Sequence, residues 1–434
     1  ADEEALAVAR RRLIFEELFY LTCGMALLRT RRDKAAGLTF HLPPEEDFFK
    51  LLPFSLTGAQ RRVMAEMAAD FSAGAPMNRL VQGDVGSGKT MLAAYGAWLA
   101  AKNGYQCALM APTELLAEQH YRSLAPLLEQ AGMRVGLLTG AVKGKARKTV
   151  YAAMGRGELD LIIGTHALLS EGVAFARLGL VVTDEQHRFG VGQRAALSAK
   201  ANGTPHVLVM SATPIPRTLA LIIYGDLDVS VVDELPPGRS PVETYVVGED
   251  KRQRMYNFVR KLVGEGRQAY MVCPAVEEGD GEDQEPGGPV PLKAAVTYAE
   301  TLRTQVFPDL RVGLVHGKMK SKEKDAVMTA FAAGELDVLV STTVIEVGVD
   351  VPNAALMIVE NADRFGLSQL HQLRGRVGRG KHQSYCVLVT STRSQDSRER
   401  LRVLSKTNDG FKIAEEDLRL RGPGDFFGSR QHGL

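Results

Sequence analysis

The chain has 434 residues, 45% of them hydrophobic and 24% charged, and its 53 basic and 51 acidic residues give a net charge of +2. This balance is typical of globular domains and excludes a disordered, collagen-like or disulfide-scaffold chain. Because the net charge is close to zero, any nucleic-acid surface must come from local clustering of basic residues.

Short apolar runs alternate with longer helical patterns along the chain, which opens with a helical pattern over Ala1 to Leu28. Runs that are apolar throughout predict strands buried on both faces of a parallel sheet. Strands that alternate with helices predict right-handed βαβ units. The fold class is therefore predicted to be α/β, with two tandem domains that each contain a parallel sheet. The runs are 107–110, 159–163, 178–182 and 207–210 in the first half, and 269–272, 312–315, 338–340, 356–359 and 386–389 in the second.

Proline and glycine mark the predicted joint between the domains, at residues 236–241, because this composition cannot continue a helix or a central strand. The acidic stretch 277–291 is expected to be a surface loop of the second domain. After about residue 396 the pattern becomes charged and helical. The predicted organisation is a helical linker over 1–45, a first α/β domain over 46–235, a second α/β domain over 236–396 and a helical hairpin over 397–434.

Other features of the sequence bear on the compartment. No apolar stretch reaches the roughly 20 residues needed to span a bilayer, and the start of the chain does not have the pattern of a signal peptide. The four cysteines lack metal-type spacing. We expect a cytoplasmic protein with no membrane partner. Because the chain opens inside a helical pattern without a methionine, and stops without a natural ending, we also expect a fragment of a longer protein.

A complete G-x-x-x-x-G-K-T motif lies between the apolar run 79–82 and the helical pattern 91–102. Its glycines allow backbone N–H groups to cradle phosphates at the start of a helix. Lys89 is expected to reach the β- and γ-phosphates of ATP, and the Thr90 hydroxyl to hold Mg²⁺. The motif comprises Gly83, Asp84, Val85, Gly86, Ser87, Gly88, Lys89 and Thr90.

A second anchor for the metal is expected at the end of another buried strand. Asp184 and Glu185 follow the apolar run 178–182. Asp184 would bind Mg²⁺ and Glu185 would polarise the attacking water. His187 would link the nucleotide to neighbouring loops.

An arginine-rich segment, 372–379, lies in the second half of the chain. Arg376 and Arg379 are expected to reach the γ-phosphate across a cleft between the domains and to stabilise transition-state charge. Together these residues predict an engine driven by phosphate transfer, with catalytic groups on both halves.

Longer strings resemble the RecG family of superfamily 2 helicases, and the resemblance covers nearly all 434 residues. The related transcription-repair coupling translocases share the tail but are similar at fewer of the linking positions. The strings are Ala-Pro-Thr-Glu-Leu at 111–115, Gly-Thr-His-Ala-Leu at 164–168, Asp-Glu-Gln-His-Arg-Phe at 184–189, Ser-Ala-Thr-Pro at 211–214, Tyr-Gly-Asp-Leu-Asp at 224–228, Ser-Thr-Thr-Val-Ile-Glu at 341–346 and Asp-Leu-Arg-Leu-Arg-Gly-Pro-Gly at 417–424.

The resemblance implies two RecA-like domains around one ATP. Phe54 and Gln60 match the motif that reads adenine, although Phe54 as an ordinary core side chain remains an alternative. Asp350 would touch the nucleotide from the second domain. Ser211 and Thr213 would couple hydrolysis to domain movement.

The resemblance also implies residues that hold DNA by small hydroxyls and main-chain N–H groups. Such contacts go to phosphate and sugar and carry no sequence information. The tail would turn domain closure into duplex translocation, with a solvated basic terminus as the alternative. The implied DNA-binding residues are Pro112, Thr113, Thr165, His166, His316, Gly317, Thr342 and Thr343, and the implied coupling residues of the tail are Arg419, Arg421, Arg430 and Gln431.

The function implied is an ATP- and Mg²⁺-dependent DNA helicase or double-strand translocase that remodels replication forks and Holliday junctions in recombination and repair. Its partners would be branched and duplex DNA, with single-stranded-DNA-binding protein as a further candidate, and it would act as a monomer at the bacterial nucleoid. The family's wedge domain would precede residues 1–45, which are too few to form it. The alternatives are a duplex translocase that displaces bound protein and a nucleotide-binding DNA scaffold without unwinding activity.

Overall fold

The structure is a computed structural model that describes residues 3–33, 36–184, 191–201, 203–213, 215, 227–236, 240–274, 291–342, 351–380, 382–392 and 394–421. The chain divides into two compact units. The first unit comprises Ala1–Gly83 and Ser87–Glu234, and the second comprises Asp84–Gly86 and Leu235–Leu434. The division falls just before the proline- and glycine-rich residues 236–241.

The first unit contains a seven-stranded parallel sheet in the order β3-β4-β2-β5-β6-β1-β7. Its central strands are apolar at nearly every position because helices cover both faces of the sheet. The strands are β1 Asn78–Gly83, β2 Gln106–Met110, β3 Val135–Leu138, β4 Leu161–Gly164, β5 Leu178–Asp184, β6 His206–Ser211 and β7 Asp228–Val232.

The helices of the first unit include a long N-terminal helix whose apolar side chains, among them Leu13 and Phe15, are exposed. No described helix of the chain is both long enough and apolar enough to cross a membrane. The helices are α1 Glu3–Asp33, α2 Glu45–Phe49, α3 Gly58–Ser72, α4 Lys89–Lys102, α5 Glu114–Glu129, α6 Gly144–Gly155 and α7 Val191–Ser198, with a short 3₁₀ helix at His166–Leu169.

The second unit contains a six-stranded parallel sheet in the order β10-β11-β9-β12-β13-β8. Its strands are β8 Glu243–Val247, β9 Gln268–Cys273, β10 Val312–Val315, β11 Val338–Thr342, β12 Ala354–Val359 and β13 Tyr385–Val389. Its helices are α8 Arg252–Gly264, α9 Pro291–Thr301, α10 Ser321–Ala332, α11 Leu367–Arg374, α12 Gln395–Lys406 and α13 Gly410–Arg421, with 3₁₀ turns at Glu249–Lys251 and Ala362–Arg364 and a π-helical turn at Leu302–Val306.

The predicted fold class is confirmed, since both units are α/β with parallel sheets. All nine apolar runs coincide with strands. The edge strands β7 and β8 were not predicted, because they mix polar and apolar residues and are only partly buried. Edge strand β3 was not predicted either, although its Val-Gly-Leu-Leu run is apolar and largely buried. Most of the acidic stretch 277–291 lies outside the described residues.

Helix α4 is buried on all sides. Ten of its fourteen residues are buried, namely Lys89 and all nine from Leu92 to Ala100. The helix therefore lacks the polar face that a surface helix shows. Aromatic side chains cover it: Phe48 lies edge-on to Tyr95 and packs against Trp98, with ring centroids 5.3 and 5.5 Å apart. This burial fixes the helix that begins at the end of the G-x-x-x-x-G-K-T loop.

The segment that follows α1 is fastened to the first unit by backbone and side-chain contacts. The Phe40 N–H donates to the Phe71 carbonyl at 2.8 Å, and the Asn103 amide accepts from the His41 N–H at 2.7 Å and donates to the His41 carbonyl at 3.0 Å. The rings of Phe40 and Phe71 both lie edge-on to His206 at 4.8 Å. Burial lowers the pKa of His206 to about 4.

The two sheets share local devices at equivalent places. Arg134 donates to Asp160 through its main-chain N–H and its guanidinium, and Arg311 does the same to Asp337, with a sequence separation of 26 in both cases. Gln106 begins β2 and Gln268 begins β9. Each amide donates to two carbonyls, of Met154 and Leu159 for the former and of Phe331 and Leu336 for the latter. The second unit thus repeats the architecture of the first around β2 and β9.

Candidate functional site

The G-x-x-x-x-G-K-T loop joins the end of β1 to the start of α4, and its backbone requires glycine. Gly86 and Gly88 have φ angles of 80° and 83°, in the left-handed region that side chains disfavour. A Cβ at Gly83 would lie 2.6 Å from the Ser87 hydroxyl. The N-cap residue Gly88 offers no side chain to the first turn of α4. An anion is therefore the natural partner for those main-chain N–H groups.

Lys89 and Gln60 bracket this loop. The Lys89 ammonium, which is buried, donates to the Gly83 carbonyl at 2.6 Å. The Gln60 amide donates to the Ser87 carbonyl at 2.9 Å, and its oxygen accepts from the Thr57 N–H at 2.9 Å. Gln60 therefore lies at the candidate nucleotide site, where its amide also holds the loop in place.

Phe54 is half exposed, at 50% of its accessible surface, and is not a core side chain. It lines a cavity of about 360 Å³ together with Phe49, Leu52 and Arg61. The Arg61 guanidinium lies 5.3 Å from the centre of the Phe49 ring. An open aromatic surface of this kind suits a planar base, so Phe54 remains a candidate for adenine.

Asp184 is the last residue of β5, between β2 and β6 in the middle of the sheet. One of its carboxylate oxygens, Oδ2, lies 2.7 Å from His120 Nε2 on α5. The predicted residues Glu185 and His187 lie outside the described part of the chain. Sequence reasoning missed His120, because it comes from a different element 64 residues away.

Thr90 and Asp184 offer the hydroxyl and carboxylate oxygens that Mg²⁺ prefers. Within the described residues, no group of three or more His, Cys, Asp or Glu side chains is arranged to hold a metal ion. That result is compatible with magnesium, because Mg²⁺ in nucleotide sites is held by one or two protein oxygens together with phosphates and waters. The two residues therefore fit the predicted metal.

Ser211 ends β6 beside the strand that leads into the phosphate loop. Its hydroxyl accepts from the Thr213 N–H at 3.2 Å, so the two predicted coupling residues contact each other. Ser211 lies opposite Gln82 of β1 in the sheet register. Gln82 was missed from sequence. Its amide is completely buried and has no hydrogen-bond partner in the described part of the chain.

The predicted DNA-binding residues of the first unit follow neighbouring strands. Thr113 caps α5 by accepting from the Leu116 N–H at 3.3 Å. Thr165 follows β4 and is buried, and His166 beside it is exposed. The Ala111 N–H donates to the Gly164 carbonyl at 2.8 Å, which brings Pro112 and Thr113 close to Thr165 and His166. These four residues therefore lie at one edge of the first sheet.

The predicted DNA-binding residues of the second unit are arranged in the same way. His316 and Gly317 follow β10, and Thr342 ends the neighbouring strand β11. Thr343 and the nucleotide candidate Asp350 lie outside the described residues. Sequence reasoning missed a counterpart of His316 and Gly317 in the first unit. The repeated Arg-Val-Gly-Leu at 134–137 and 311–314 would have revealed it, because Thr139 and Gly140 follow the first copy as His316 and Gly317 follow the second.

The arginine-rich segment follows α11 in the second unit. Arg376 and Arg379 are partly exposed, and the Arg379 Nε donates to the Gly375 carbonyl at 3.4 Å. Arg374, which was not singled out from sequence, is buried and donates to the carbonyls of Leu404 and Thr407 at 2.6 and 3.0 Å. It therefore fastens the junction of α12 and α13 to the arginine-rich segment.

The tail residues are only partly described. Arg419 is mostly exposed and forms an ion pair with Glu416 at 2.8 Å. Arg421 ends α13, and its side chain lies outside the described residues, as do Arg430 and Gln431.

Models of three protein families match the chain. The DEAD/DEAH box helicase model matches residues 57–222, and the model of the helicase conserved C-terminal domain matches residues 254–381. A model described as ATP-dependent DNA helicase RecG, domain 3, C-terminal, matches residues 407–434. The first two matches fall in the first and second unit, respectively, and define the class: the chain is a superfamily 2 helicase core.

Individual relatives narrow this class. ATP-dependent DNA helicase RecG of Synechocystis sp. is 54% identical over the whole chain, which spans 51% of that protein. RecG of Bacillus subtilis is 51% identical over 99% of the chain, which spans 62% of that protein. A solved structure of RecG bound to a three-way DNA junction matches 99% of the chain and 55% of its own length, with 45% identity and a TM-score of 0.83. The chain belongs to the RecG family and spans half to three-fifths of the curated relatives it matches.

Proposed function

We propose that this chain is the ATP-driven motor of a helicase that remodels branched DNA, including replication forks and Holliday junctions, in recombination and repair. The observation that carries the proposal is the likeness, at a TM-score of 0.83 over 99% of the chain, to RecG bound to a three-way DNA junction. The intact phosphate loop and the buried Lys89 support ATP as the fuel. The alternatives are a pure duplex translocase and a scaffold without unwinding activity. An assay of ATP hydrolysis and unwinding distinguishes them from this function.

In the proposed nucleotide site, the main-chain N–H groups of the phosphate loop and the Lys89 ammonium bind the phosphates of ATP. Thr90 and Asp184 hold Mg²⁺, which when bound neutralises phosphate charge and orients the γ-phosphate. Glu185 polarises the attacking water by accepting a hydrogen bond from it. Phe54 stacks on the adenine ring, Gln60 reads its edge, and Asp350 contacts the nucleotide from the second domain.

Arg376 and Arg379 complete this site by stabilising the charge that develops on the transferred phosphoryl group. His187, Ser211 and Thr213 relay nucleotide occupancy to the rest of the core. The tail residues Arg419, Arg421, Arg430 and Gln431 pass domain closure on to the DNA. The buried Arg374, which fastens α12 and α13 to the arginine-rich segment, supports this route.

The proposed DNA surface consists of polar groups at the carboxyl edges of both sheets. Seven of the predicted residues have that position in the described chain, and Thr139 and Gly140 join them through the repeat of their neighbours. Such contacts to phosphate and sugar tolerate any sequence. We infer from the family that the whole protein acts as a monomer at the nucleoid of the bacterial cytoplasm, with single-stranded-DNA-binding protein as a further partner.

The test is an ATPase and unwinding assay of the 434-residue chain with single-stranded, duplex, forked and three-way-junction DNA. We expect Mg²⁺-dependent hydrolysis that rises with DNA and rises most with branched DNA. A duplex translocase would show equal stimulation of hydrolysis by plain duplex and by branched DNA. It would also separate no strands, even when tested in the full-length protein. DNA binding without hydrolysis would indicate a scaffold and overturn the proposal.

A further inference from the structure

The ring of His120 contacts the carboxylate proposed to hold the metal. His120 lies on α5 and is 8% exposed, and its Nε2 is 2.7 Å from Asp184 Oδ2. An ionised carboxylate can only accept hydrogen bonds, so Nε2 carries the proton and donates. A donor in this position fixes the plane of the carboxylate and the direction of its oxygens.

The second unit contains the same arrangement at the same place. Thr183 pairs with Met110 in the first sheet, and Val359 pairs with Val272 in the second. Met110 lies as many residues after Gln106 as Val272 lies after Gln268. Asp184 follows Thr183 at the end of β5, and Glu360 follows Val359 directly after β12, so the two carboxylates have equivalent positions.

Glu360 is also held by a polar aromatic side chain. The Tyr298 hydroxyl on α9 donates to Glu360 at 2.6 Å, and α9 follows β9 along the chain as α5 follows β2. In addition, Arg252 donates two hydrogen bonds to Glu360, at 2.8 and 2.9 Å. The second carboxylate is thus neutralised by a guanidinium, which makes it a structural ion pair.

We propose that His120 is a positioning residue for Asp184, and that it sets the affinity of the site for Mg²⁺-bound nucleotide. The inference rests on the proposed function, since it takes Asp184 as a magnesium ligand. Partners that orient a metal-binding side chain contribute strongly to metal affinity, and their removal costs about 10- to 100-fold.

Helix α5 gives this contact a second consequence. The helix begins directly after Thr113, a proposed DNA-backbone contact, and His120 lies two turns further along. A helix moves as a rigid element, so a shift of its N-terminus on DNA binding is carried to the imidazole. We therefore expect His120 to contribute to the stimulation of ATP hydrolysis by DNA.

The experiment compares His120→Met, which keeps the volume and removes the donor, with His120→Gln, whose amide restores an N–H at a similar reach. The affinity of N-methylanthraniloyl-labelled AMPPNP is measured by fluorescence with excess Mg²⁺ and with EDTA. His120→Met should weaken binding about tenfold with Mg²⁺ and leave the affinity in EDTA unchanged. His120→Gln should recover most of the loss, and the DNA stimulation of ATPase should fall only in His120→Met.

Controls separate the possible failures. Tyr298→Phe removes the equivalent hydroxyl in the second unit and should leave nucleotide affinity unchanged. If Asp184→Asn abolishes the effect of Mg²⁺ while His120→Met binds normally, His120 has no positioning role and the proposed function stands. If Asp184→Asn and Lys89→Ala both bind and hydrolyse normally, the proposed function itself fails.

The remaining outcomes also decide the question. Loss of affinity in both Mg²⁺ and EDTA, or the same loss in His120→Gln, would mean that His120 only supports the fold. Should His120→Met unfold, as reported by Trp98 fluorescence, His120→Asn replaces it, because its shorter amide keeps polarity but does not reach Asp184.

Discussion

The two units place a carboxylate at the same point of the same architecture but surround it differently. In the first unit Asp184 accepts from the imidazole of His120. In the second unit Glu360 accepts from Tyr298 and twice from Arg252. The pKa of Arg252 is raised by Glu249 first and by Glu360 next. A guanidinium supplies a full counter-charge, whereas an imidazole supplies a directed hydrogen bond and little charge.

The comparison teaches that equivalent positions of one architecture can receive different polar neighbours. With a guanidinium beside it, the carboxylate becomes part of the framework of the second unit. With an imidazole beside it, the carboxylate of the first unit is, as we propose, oriented for a cation that arrives with the nucleotide. The loops after β1 and β8 differ in the same sense, since the first is a glycine-rich phosphate loop and the second a 3₁₀ turn, Glu249–Lys251.

The largest expected effect is a difference in ATP hydrolysis between variants of Lys89, in the phosphate loop, and of Lys251, in the 3₁₀ turn. Lys89→Ala should lower kcat for ATP hydrolysis by about 10²-fold or more, because it removes charge stabilisation from the phosphates. Lys251, which is exposed and pairs with Asp250 at 3.0 Å, is the matched control, and Lys251→Ala should hydrolyse ATP normally. Steady-state ATPase assays with saturating DNA measure both variants. Equal losses in the two would show that the loops do not differ in function.

The next effect tests the carboxylate of the second unit by its contribution to stability. Arg252→Leu leaves Glu360, whose side chain is 8% exposed, without its cation, and should lower the free energy of unfolding of the second unit by about 3 kcal/mol. Adding Glu360→Gln should restore much of the loss, because it removes the buried charge. Urea unfolding followed by circular dichroism measures the change. A negligible effect of Arg252→Leu would mean that Glu360 does not need its ion pair.

The third effect is a pH dependence of the first unit. His206 is the first residue of β6, and Tyr385 is the first residue of β13. The two have equivalent positions in their sheets, because His206 pairs with Leu180 and Tyr385 pairs with Leu356. The folded pKa of His206 is lowered to about 4, below the roughly 6.5 of an unfolded chain. Between these values the unfolded chain takes up a proton that the folded chain does not. The contribution of neutral His206 to the free energy of unfolding should therefore be fully present above pH 6.5. It should decline by up to about 3 kcal/mol as the pH falls to 4.

Trp98, the single tryptophan of the chain, is 1% exposed and reports unfolding of the first unit. Urea midpoints of its fluorescence at several pH values measure this decline. His206→Gln, which keeps a hydrogen-bond acceptor for the Met77 N–H and does not titrate, should lose part of the pH dependence. An unchanged dependence in this variant would assign the acid sensitivity to other groups.

The smallest effect tests the likeness of the units. Gln106→Met and Gln268→Met each leave two carbonyls without their side-chain donor, and each should destabilise its own unit by about 1–3 kcal/mol. Trp98 fluorescence follows the first variant, and circular dichroism follows the second. A large loss in one variant and none in the other would contradict the equivalence of β2 and β9.

Much of the fold could be predicted because buried parallel strands appear as continuous apolar runs. The phosphate loop could be predicted for a different reason: its backbone conformation needs glycine at fixed places, so the requirement is visible in a short string. Edge strands such as β8 escaped because one of their sides faces no neighbouring strand and their composition is mixed.

The contacts of the site could not be predicted to the same extent. His120 and Asp184 meet because α5, which packs against β3 and β4, brings His120 to the end of β5, and nothing in either local sequence specifies that meeting. Arg374 looks like its neighbours Arg376 and Arg379 in the sequence, yet burial makes it a structural anchor. Repeated strings around Arg134 and Arg311 were the one overlooked signal that could have supplied site residues.

The burial of α4 on all sides has a consequence for how the sequence can vary. A helix on a surface tolerates substitutions on one face with a period of about 3.6 residues. In α4 no such period is available, since the residues from Leu92 to Ala100 are all buried. A saturation mutagenesis scan of this helix should therefore show intolerance at consecutive positions, including small residues such as Gly96, whose Cβ would lie 2.9 Å from Leu180. The helix behind the phosphate loop is thus constrained by volume at every position from Leu92 to Ala100, whatever the nucleotide at its end requires.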